Sequence, residues 1–237
     1  MMRRLAIMGA LLLMPVGVAA QDAVTTAGLR AINNREPAPD AAAIAAEAQT
    51  LLAAMVKAGQ AKCLPSAVAV DGIAPATATR LVIEGINSKQ LRNGWTANAR
   101  LEGCEGPPSR LIVLRLANSS LLVRVINSGE TLTTASQMRD TSAAAAMAAV
   151  TAIRKAVPGC EGDGLAMGDT RVAERGADLG PDVFGARYVG SWSEVWRFTT
   201  CDATADVTVA FKADGKGGVF SDIGKDSVKV VKQAAKP

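Results

Sequence analysis

The chain has 237 residues, of which 49% are hydrophobic but only 3% aromatic, and its 26 basic and 22 acidic residues give a formal charge of +4. It contains no histidine, which excludes histidine-dependent nucleophilic catalysis and every histidine metal site. Nucleic-acid binding proteins combine a basic stripe with aromatic stacking platforms. This sequence has neither, so we expect no nucleic-acid partner.

The first twenty residues have the layout of a secretory signal peptide. Arg3 and Arg4 provide the positive start, an apolar stretch covers residues 5–14, and small residues lead up to Ala20. A membrane anchor is the alternative, but this stretch is shorter than the roughly 20 apolar residues that span a bilayer. We therefore predict that residues 1–20 are cleaved near Ala20, leaving a periplasmic or secreted protein without a transmembrane segment.

The first repeat unit is predicted over residues 39–132, after a partly ordered N-terminal lead-in at 21–38. Asp40 is suited to cap a helix that ends near Gly59. Apolar side chains recur along this segment with helical spacing and form one face. The positions on that face are Ile44, Ala48, Leu51, Leu52, Met55 and Val56.

A second helix and three strands are predicted in the rest of the first unit. The helix covers 76–91 and stops at Asn93-Gly94. A strand then covers 95–103, and strands at 109–116 and 121–126 form a β-hairpin.

The second repeat unit is predicted over residues 133–224. Residues 140–142 are suited to cap an alanine-rich helix that ends at Val157. The segment 161–185 is rich in glycine and acidic residues and lacks a helical period. We therefore expect the two units to differ most in this segment.

The second unit ends in three predicted strands and a tail. One strand covers 187–200, and strands at 206–213 and 219–223 form a second hairpin. The lysine-rich tail at 225–237 is expected to fray. Because side chains alternate between the faces of a strand, one face of the first strand should hold Trp192, Glu194, Trp196 and Phe198.

The four cysteines indicate an internal duplication. The spacing from Cys63 to Cys104 is 41 residues, and so is the spacing from Cys160 to Cys201. A shift of 97 positions superposes the two pairs, and a fixed shift of this kind favours a repeat. The same shift aligns Trp95 with Trp192, Arg100 with Arg197, Ile112 with Val209, and Leu114 with Phe211.

The repeat favours one disulfide in each unit among the three pairings that four cysteines allow. The predicted disulfides are Cys63–Cys104 and Cys160–Cys201, and each would close a loop of about 42 residues worth roughly 4 kcal/mol of stability. Redox motifs and metal sites place their cysteines close together in sequence, so neither function is expected. The predicted fold class is α+β, with two similar units that each pack a helix on an antiparallel sheet.

Two motifs in the second unit resemble a known module. The segment Trp192-Ser193-Glu194-Val195-Trp196 is followed by Cys201 and then by the turn Asp214-Gly215-Lys216-Gly217-Gly218. This order is similar to the C-terminal module of uncharacterised exported proteins of proteobacteria. The resemblance supports the second disulfide and the second hairpin, and it implies no activity and no catalytic or binding residue.

The lack of catalytic and metal motifs favours a non-catalytic protein without a cofactor. We expect a binding or structural module whose partner is an envelope protein or a cell-wall component. Exposed aromatic side chains dominate many binding surfaces, so the candidate contact residues are Tyr188, Trp192 and Trp196. Burial preferences favour the alternative in which these three side chains fill the core of the second unit.

A hydrolase that uses carboxylates, acting on an envelope substrate, is the alternative function. Such an enzyme needs two carboxyl groups about 5–10 Å apart in a cleft, whereas solvation at the surface is the simpler explanation for scattered acids. A calcium site in the turn at 214–218 is not expected, because calcium needs more oxygen ligands than this turn offers. The candidate carboxylates are Glu161, Asp163, Asp169, Glu174, Asp178 and Asp182.

Overall fold

The computed structural model describes residues 17–232. Residues 1–16 of the predicted signal peptide lie outside the described residues. Its last four residues, 17–20, form the beginning of helix α1 (Gly17–Arg35). The lead-in predicted at 21–38 is helical as far as Arg35. In the described part of the chain, no helix is both long enough and apolar enough to cross a membrane.

Two halves follow α1, and each begins with a helix. The first half contains α2 (Ala41–Lys57), β1 (Ala67–Pro75), α3 (Arg80–Asn87), β2 (Leu91–Glu102), β3 (Ser109–Leu116) and β4 (Leu121–Gly129). The second half contains α4 (Ala135–Ala156), β5 (Ala166–Arg175), β6 (Ser191–Thr200), β7 (Ala203–Ala213), β8 (Val219–Asp222) and β9 (Val228–Lys232). The fold is mixed α+β, and both predicted disulfides are confirmed: Cys63–Cys104 and Cys160–Cys201.

The strands form one continuous nine-stranded sheet in place of a separate sheet for each unit. Its order is β1 to β8, and β9 pairs with β7 beside β8. Neighbouring strands are antiparallel except β4 and β5, which pair in parallel at Ser128–Asp169 and Gly129–Thr170. This parallel contact reverses the strand directions of the second half relative to the first.

Helices α2 and α4 cover opposite faces of the sheet. In the first half, Ile44 of α2 is buried against Trp95. In the second half, Ala149 of α4 is buried in the same cluster as Trp196. Ile126 of β4 contacts both the α3 core and the α4 core, so α3 and α4 share the face opposite α2.

Several predicted elements form where they were expected. Asp40 caps α2, because its carboxylate accepts a hydrogen bond of 2.7 Å from the Ala43 N–H. Strand β3 has the predicted bounds. The predicted apolar face of α2 buries Ile44, Ala48 and Leu52, and the predicted face of β6 buries Trp192, Glu194, Trp196 and Phe198.

The helix predicted at 76–91 is much shorter in the structure, where α3 covers Arg80–Asn87. The residues predicted to stop that helix lie instead inside β2. A Cβ atom at Gly94 would lie 2.6 Å from Cγ2 of Val82. The glycine is therefore needed because it lets α3 approach the sheet closely.

Several bounds in the second half also differ from the prediction. The strand predicted at 187–200 begins only at Ser191, so residues 187–190 lie in a loop. Helix α4 begins at Ala135 because Thr134 and Gln137 form a capping box ahead of the predicted cap. Strand β5 occupies part of the divergent segment at 161–185. Strand β9 occupies part of the tail at 225–237, where backbone pairing with β7 orders residues that were expected to fray.

The shift of 97 positions holds for β2 and β6 but not for the following strands. Trp95 pairs with Val113, whereas Trp192 pairs with Phe211, so the equivalent positions in β3 and β7 are 98 apart. Because successive side chains point to opposite faces, a difference of one residue exchanges the faces. The predicted equivalence of Leu114 with Phe211, and with it that of Ile112 with Val209, is therefore wrong.

Candidate ligand site between the two halves

The two halves meet where β4 pairs with β5. Gly129 has a φ of +87°, and a Cβ atom at this position would lie 2.1 Å from the carbonyl oxygen of Thr170. Asn127 donates a hydrogen bond of 2.6 Å from Nδ2 to the Thr170 hydroxyl. That hydroxyl in turn donates to the carbonyl of Glu130 at 3.0 Å. This seam therefore depends on close backbone approach and on one buried polar chain.

A loop at 176–190 forms a second contact between the halves. Its ends are joined by a hydrogen bond of 2.9 Å from the Gly176 N–H to the Ser191 carbonyl. Its tip reaches the first half, where the Ala78 N–H donates to the Phe184 carbonyl at 2.8 Å. At a shift of 97 positions, α3 corresponds in sequence to part of this loop. The second half therefore has a closed loop where the first half has a helix.

A cavity of about 650 Å³ lies between these two contacts. Its floor is the face of β2 and β3 that carries Thr96 and Arg110, on the side of the sheet opposite α2. Its walls include the linker between β4 and α4, represented by Thr133, and the loop at 176–190, represented by Arg187. We call this cavity the seam pocket, and its size is typical of small-molecule sites.

Two arginines in the seam pocket use little of their hydrogen-bonding capacity. Arg110 donates from Nη2 to the Thr96 hydroxyl at 3.2 Å, and Arg187 donates from Nη1 to the Gly180 carbonyl at 2.7 Å. Neither side chain has another hydrogen bond in the described part of the chain, and the Nε of each is enclosed without an acceptor. A guanidinium has five donors, so most of the donors of both groups are unused.

The charge of Arg110 is held in an unfavourable environment. Burial lowers the pKa of its guanidinium, and the positive charge of Arg187 lowers it further. Three carboxylates oppose this shift: Asp182, Glu194 and Glu130. Over residues 17–232, however, neither arginine has a carboxylate within ion-pair distance.

A buried carboxylate fixes the linker wall of the seam pocket. Glu194 is fully buried on β6, and it accepts hydrogen bonds of 2.7 Å from both the Thr131 hydroxyl and the Leu132 N–H. It also accepts from the N–H of Thr133 and from the indole N–H groups of Trp192 and Trp196, while the Thr133 hydroxyl lies 2.6 Å from that of Thr131. Five hydrogen bonds therefore satisfy this charge without a cation.

The carboxylates that line the seam pocket are already engaged. Asp182 accepts a hydrogen bond of 2.7 Å from the Gly185 N–H within the loop. Glu130 pairs with Arg175, and Asp71 lies 3.7 Å from Arg100. Each of these three carboxylates therefore has a partner other than Arg110 and Arg187.

The three aromatic residues predicted as contact residues do not form an exposed surface. Trp192 and Trp196 are only 3% and 0% exposed, and they pack against Phe211 with ring centroids 5.4 and 5.9 Å apart. Their assignment as contact residues is therefore wrong, and the core alternative is confirmed for both. Tyr188 is half-buried against a separate cluster that contains Leu29, so the three side chains share no face.

The acidic residues of the divergent segment are dispersed. Asp182 lines the seam pocket, whereas Asp169 pairs with Arg197 at 3.4 Å and Asp178 accepts hydrogen bonds from Ser191. Glu161, Asp163 and Glu174 do not line it either. Among the described residues, no group of three or more cysteines and acids could hold a metal ion.

Sequence reasoning missed Arg110 and Arg187 because neither lies in a motif. Nothing in the local pattern of β3 or of the loop distinguishes them from the other arginines. One signal was available for Glu194, since an acid between two tryptophans on an apolar face is unusual.

Comparison with known proteins identifies no function for this chain, so a function has to be inferred from the geometry of the site. No protein-family model, no curated protein and no solved structure matches the chain. The resemblance of its second unit to exported proteobacterial modules stays a prediction.

Proposed function

We propose that the protein is an exported, non-catalytic binding protein that holds a small ligand in the seam pocket. The observation that carries this proposal is the pair of arginines, Arg110 and Arg187, whose donors are largely unused inside a concave site. Export is supported by the signal-like N-terminus and by two disulfides, which persist in oxidising compartments. The expected envelope partner then becomes a small molecule or the end of a cell-wall chain.

We also propose that the two halves arose by duplication, which explains why the pocket lies between them. The disulfides share the shift of 97 positions, and so do buried positions on the two long helices. Ala48 corresponds to Ala145, and Leu52 corresponds to Ala149. In this proposal the loop at 176–190 replaced the second copy of α3 and became a wall of the binding site.

The carboxylate-dependent hydrolase has weaker support. Of the six acids in the divergent segment, Asp182 alone lines the seam pocket, and its carboxylate already accepts a backbone hydrogen bond. Asp71 and Glu130 also line the pocket, but each has an arginine partner. Carboxylates engaged in this way are poorly suited to act as an acid and base pair.

The binding function can be tested by equilibrium dialysis of the exported protein against a cell-envelope extract, with mass spectrometry of the retained molecules. Asn98 lines the pocket and is half-exposed, so Asn98→Trp should block the cavity with little effect on the core. Thr208→Trp is the matched control, because Thr208 is a half-exposed strand residue outside the pocket.

The expected result is a molecule that the wild type and Thr208→Trp retain and that Asn98→Trp loses. Retention of no molecule by the folded wild type, or equal retention by all three proteins, would contradict the proposed site. Release of cleaved envelope polysaccharide, abolished by Asp182→Asn, would instead establish the hydrolase.

A further inference from the structure

We propose that the ligand of the seam pocket is a small organic anion whose carboxylate or phosphate is bound by Arg110 and Arg187. This inference rests on the binding function proposed above and specifies the chemical class of the ligand. It follows from three properties of the pocket, namely two guanidinium groups without a carboxylate at contact distance, the unused donors of those groups, and the size of the cavity.

The first property is that both positive charges lack a partner at contact distance. Asp182 and Glu130 lie close enough to influence Arg110, but each accepts its hydrogen bonds from another group. A charge that is partly removed from water is costly unless an opposite charge pairs with it. An anionic ligand would supply the partner that these two guanidinium groups lack.

The second property is the direction of the unused hydrogen bonds. Nη1 of Arg110 and Nη2 of Arg187 have no acceptor in the described part of the chain. Neither is among the enclosed unpartnered atoms, so both are reached by solvent, and both residues line the pocket. Carboxylate and phosphate oxygens match guanidinium donors in geometry and form charge-assisted hydrogen bonds.

The third property is that the cavity is much larger than a simple inorganic anion. Its volume of about 650 Å³ lies within the range of drug-sized ligands. Away from the arginines, the lining combines the carboxylates of Asp71, Glu130 and Asp182, which can accept hydrogen bonds from hydroxyl groups, with the apolar side chains of Ile112 and Ile126. Such a lining suits a carbon skeleton with hydroxyl groups, which is why we infer an organic anion.

The test uses nuclear magnetic resonance of the side-chain Nε–Hε groups of the two arginines, in the full exported chain at constant ionic strength. Because both Nε atoms are enclosed, their protons should exchange slowly enough to be observed. The probes are D-glucuronate, D-glucose 6-phosphate, neutral D-glucose and cationic D-glucosamine, each raised to tens of millimolar. The ratio of the two anions' affinities distinguishes a carboxylate from a phosphate ligand.

We expect at least one anion to shift both arginine signals and to bind about tenfold or more tightly than glucose. Arg110→Gln and Arg187→Gln should each lower the binding affinity for that anion about tenfold. Arg115→Gln is the matched control, because Arg115 lies on the same strand and also has an enclosed Nε without an acceptor, but it does not line the pocket. Thermal unfolding of each variant shows whether it remains folded.

Two results would overturn the inference. One is that neither anion shifts the arginine signals, and the other is that glucose or glucosamine binds at least as tightly as the anions. The dialysis experiment could instead identify a neutral or cationic molecule that the wild type retains and Asn98→Trp does not. The binding function would then stand, and the inference of an anionic ligand would fail. If dialysis retains no molecule at all, the binding function itself fails.

Discussion

Trp196 donates its indole N–H to the carboxylate of Glu194 at 2.9 Å, although the two residues are only two positions apart on β6. Neighbours at this spacing share a strand face, and Trp192 donates to the same carboxylate from the other side at 3.1 Å. The corresponding position in the first half is the buried Ala97. The second half thus has a buried charge that ties two tryptophans to the linker wall of the seam pocket.

We expect Glu194→Gln to lower the free energy of unfolding by about 3 kcal/mol, because removal of a hydrogen-bonded buried charge leaves its donors unpaired. Each carboxylate oxygen accepts from an indole and from the linker, so an amide nitrogen would face N–H donors. Guanidinium unfolding followed by tryptophan fluorescence measures the loss. The exposed Glu174 on β5 provides the control Glu174→Gln, which should change stability little, and an equal effect of both variants would contradict the role of Glu194.

The seam between the halves should be intolerant of a side chain at Gly129. A Cβ atom there would lie 2.1 Å from the Thr170 carbonyl oxygen, and a φ of +87° adds backbone strain. We expect Gly129→Ala to cost about 3 kcal/mol or more in urea unfolding. Gly215 has a φ of +79° but open space around it, so Gly215→Ala should cost only about 1 kcal/mol. Equal costs would show that the close approach contributes nothing.

The elements that the sequence predicted well have strong local patterns. The face of α2 around Ile44 repeats with helical spacing, and the face of β6 around Trp196 alternates cleanly. Strand β5 was missed because most of its side chains are exposed, which removes the alternation that marks a half-buried strand. In β1 the burial alternates, but the exposed positions Ala67 and Ala69 are themselves apolar, so the sequence shows no polar face. The start of α4 was missed because the earlier capping box at Thr134 competes with residues 140–142.

The candidate site was unpredictable for a different reason. Arg110 and Arg187 are 77 positions apart, and the sheet topology together with the loop at 176–190 brings them to one cavity. Their unused donors become visible only when the surrounding acceptors are known. The tryptophans could not be assigned to core or surface from sequence, because either side of β6 could have faced solvent until α4 was placed over it.

The two disulfides should contribute equally to stability. Each joins cysteines 41 residues apart, and in the chain-entropy model the stabilisation depends on loop length and amounts to about 4 kcal/mol. One double variant replaces both Cys63 and Cys104 by alanine, and the other replaces both Cys160 and Cys201. We expect the two variants to lower the free energy of unfolding by similar amounts. Denaturant unfolding under non-reducing conditions checks this. A loss confined to one pair would show that strain or residual structure outweighs the loop entropy.

Acid should weaken a charge cluster that joins β5, β6 and β7. Asp206 accepts hydrogen bonds from Arg197 at 2.9 Å and from Arg171 at 3.0 Å. The hydrogen bond from Arg197 is the main cause that lowers the pKa of Asp206 below its ordinary value. A depressed pKa stabilises the fold fully above the unfolded value of about 3.9, and this stabilisation is lost as the pH falls through the lower folded value.

We expect Asp206→Asn to lower the free energy of unfolding by about 1 kcal/mol at neutral pH, since the partner arginines are partly exposed and screened. The difference from wild type should then shrink towards zero as the pH falls below about 4, where the wild-type carboxylate is also neutralised. Urea unfolding across this pH range measures the difference. Asp222→Asn removes an exposed carboxylate and should show no such convergence. A difference that stays constant down to the most acid pH would mean that Asp206 acts through its shape and not through its charge.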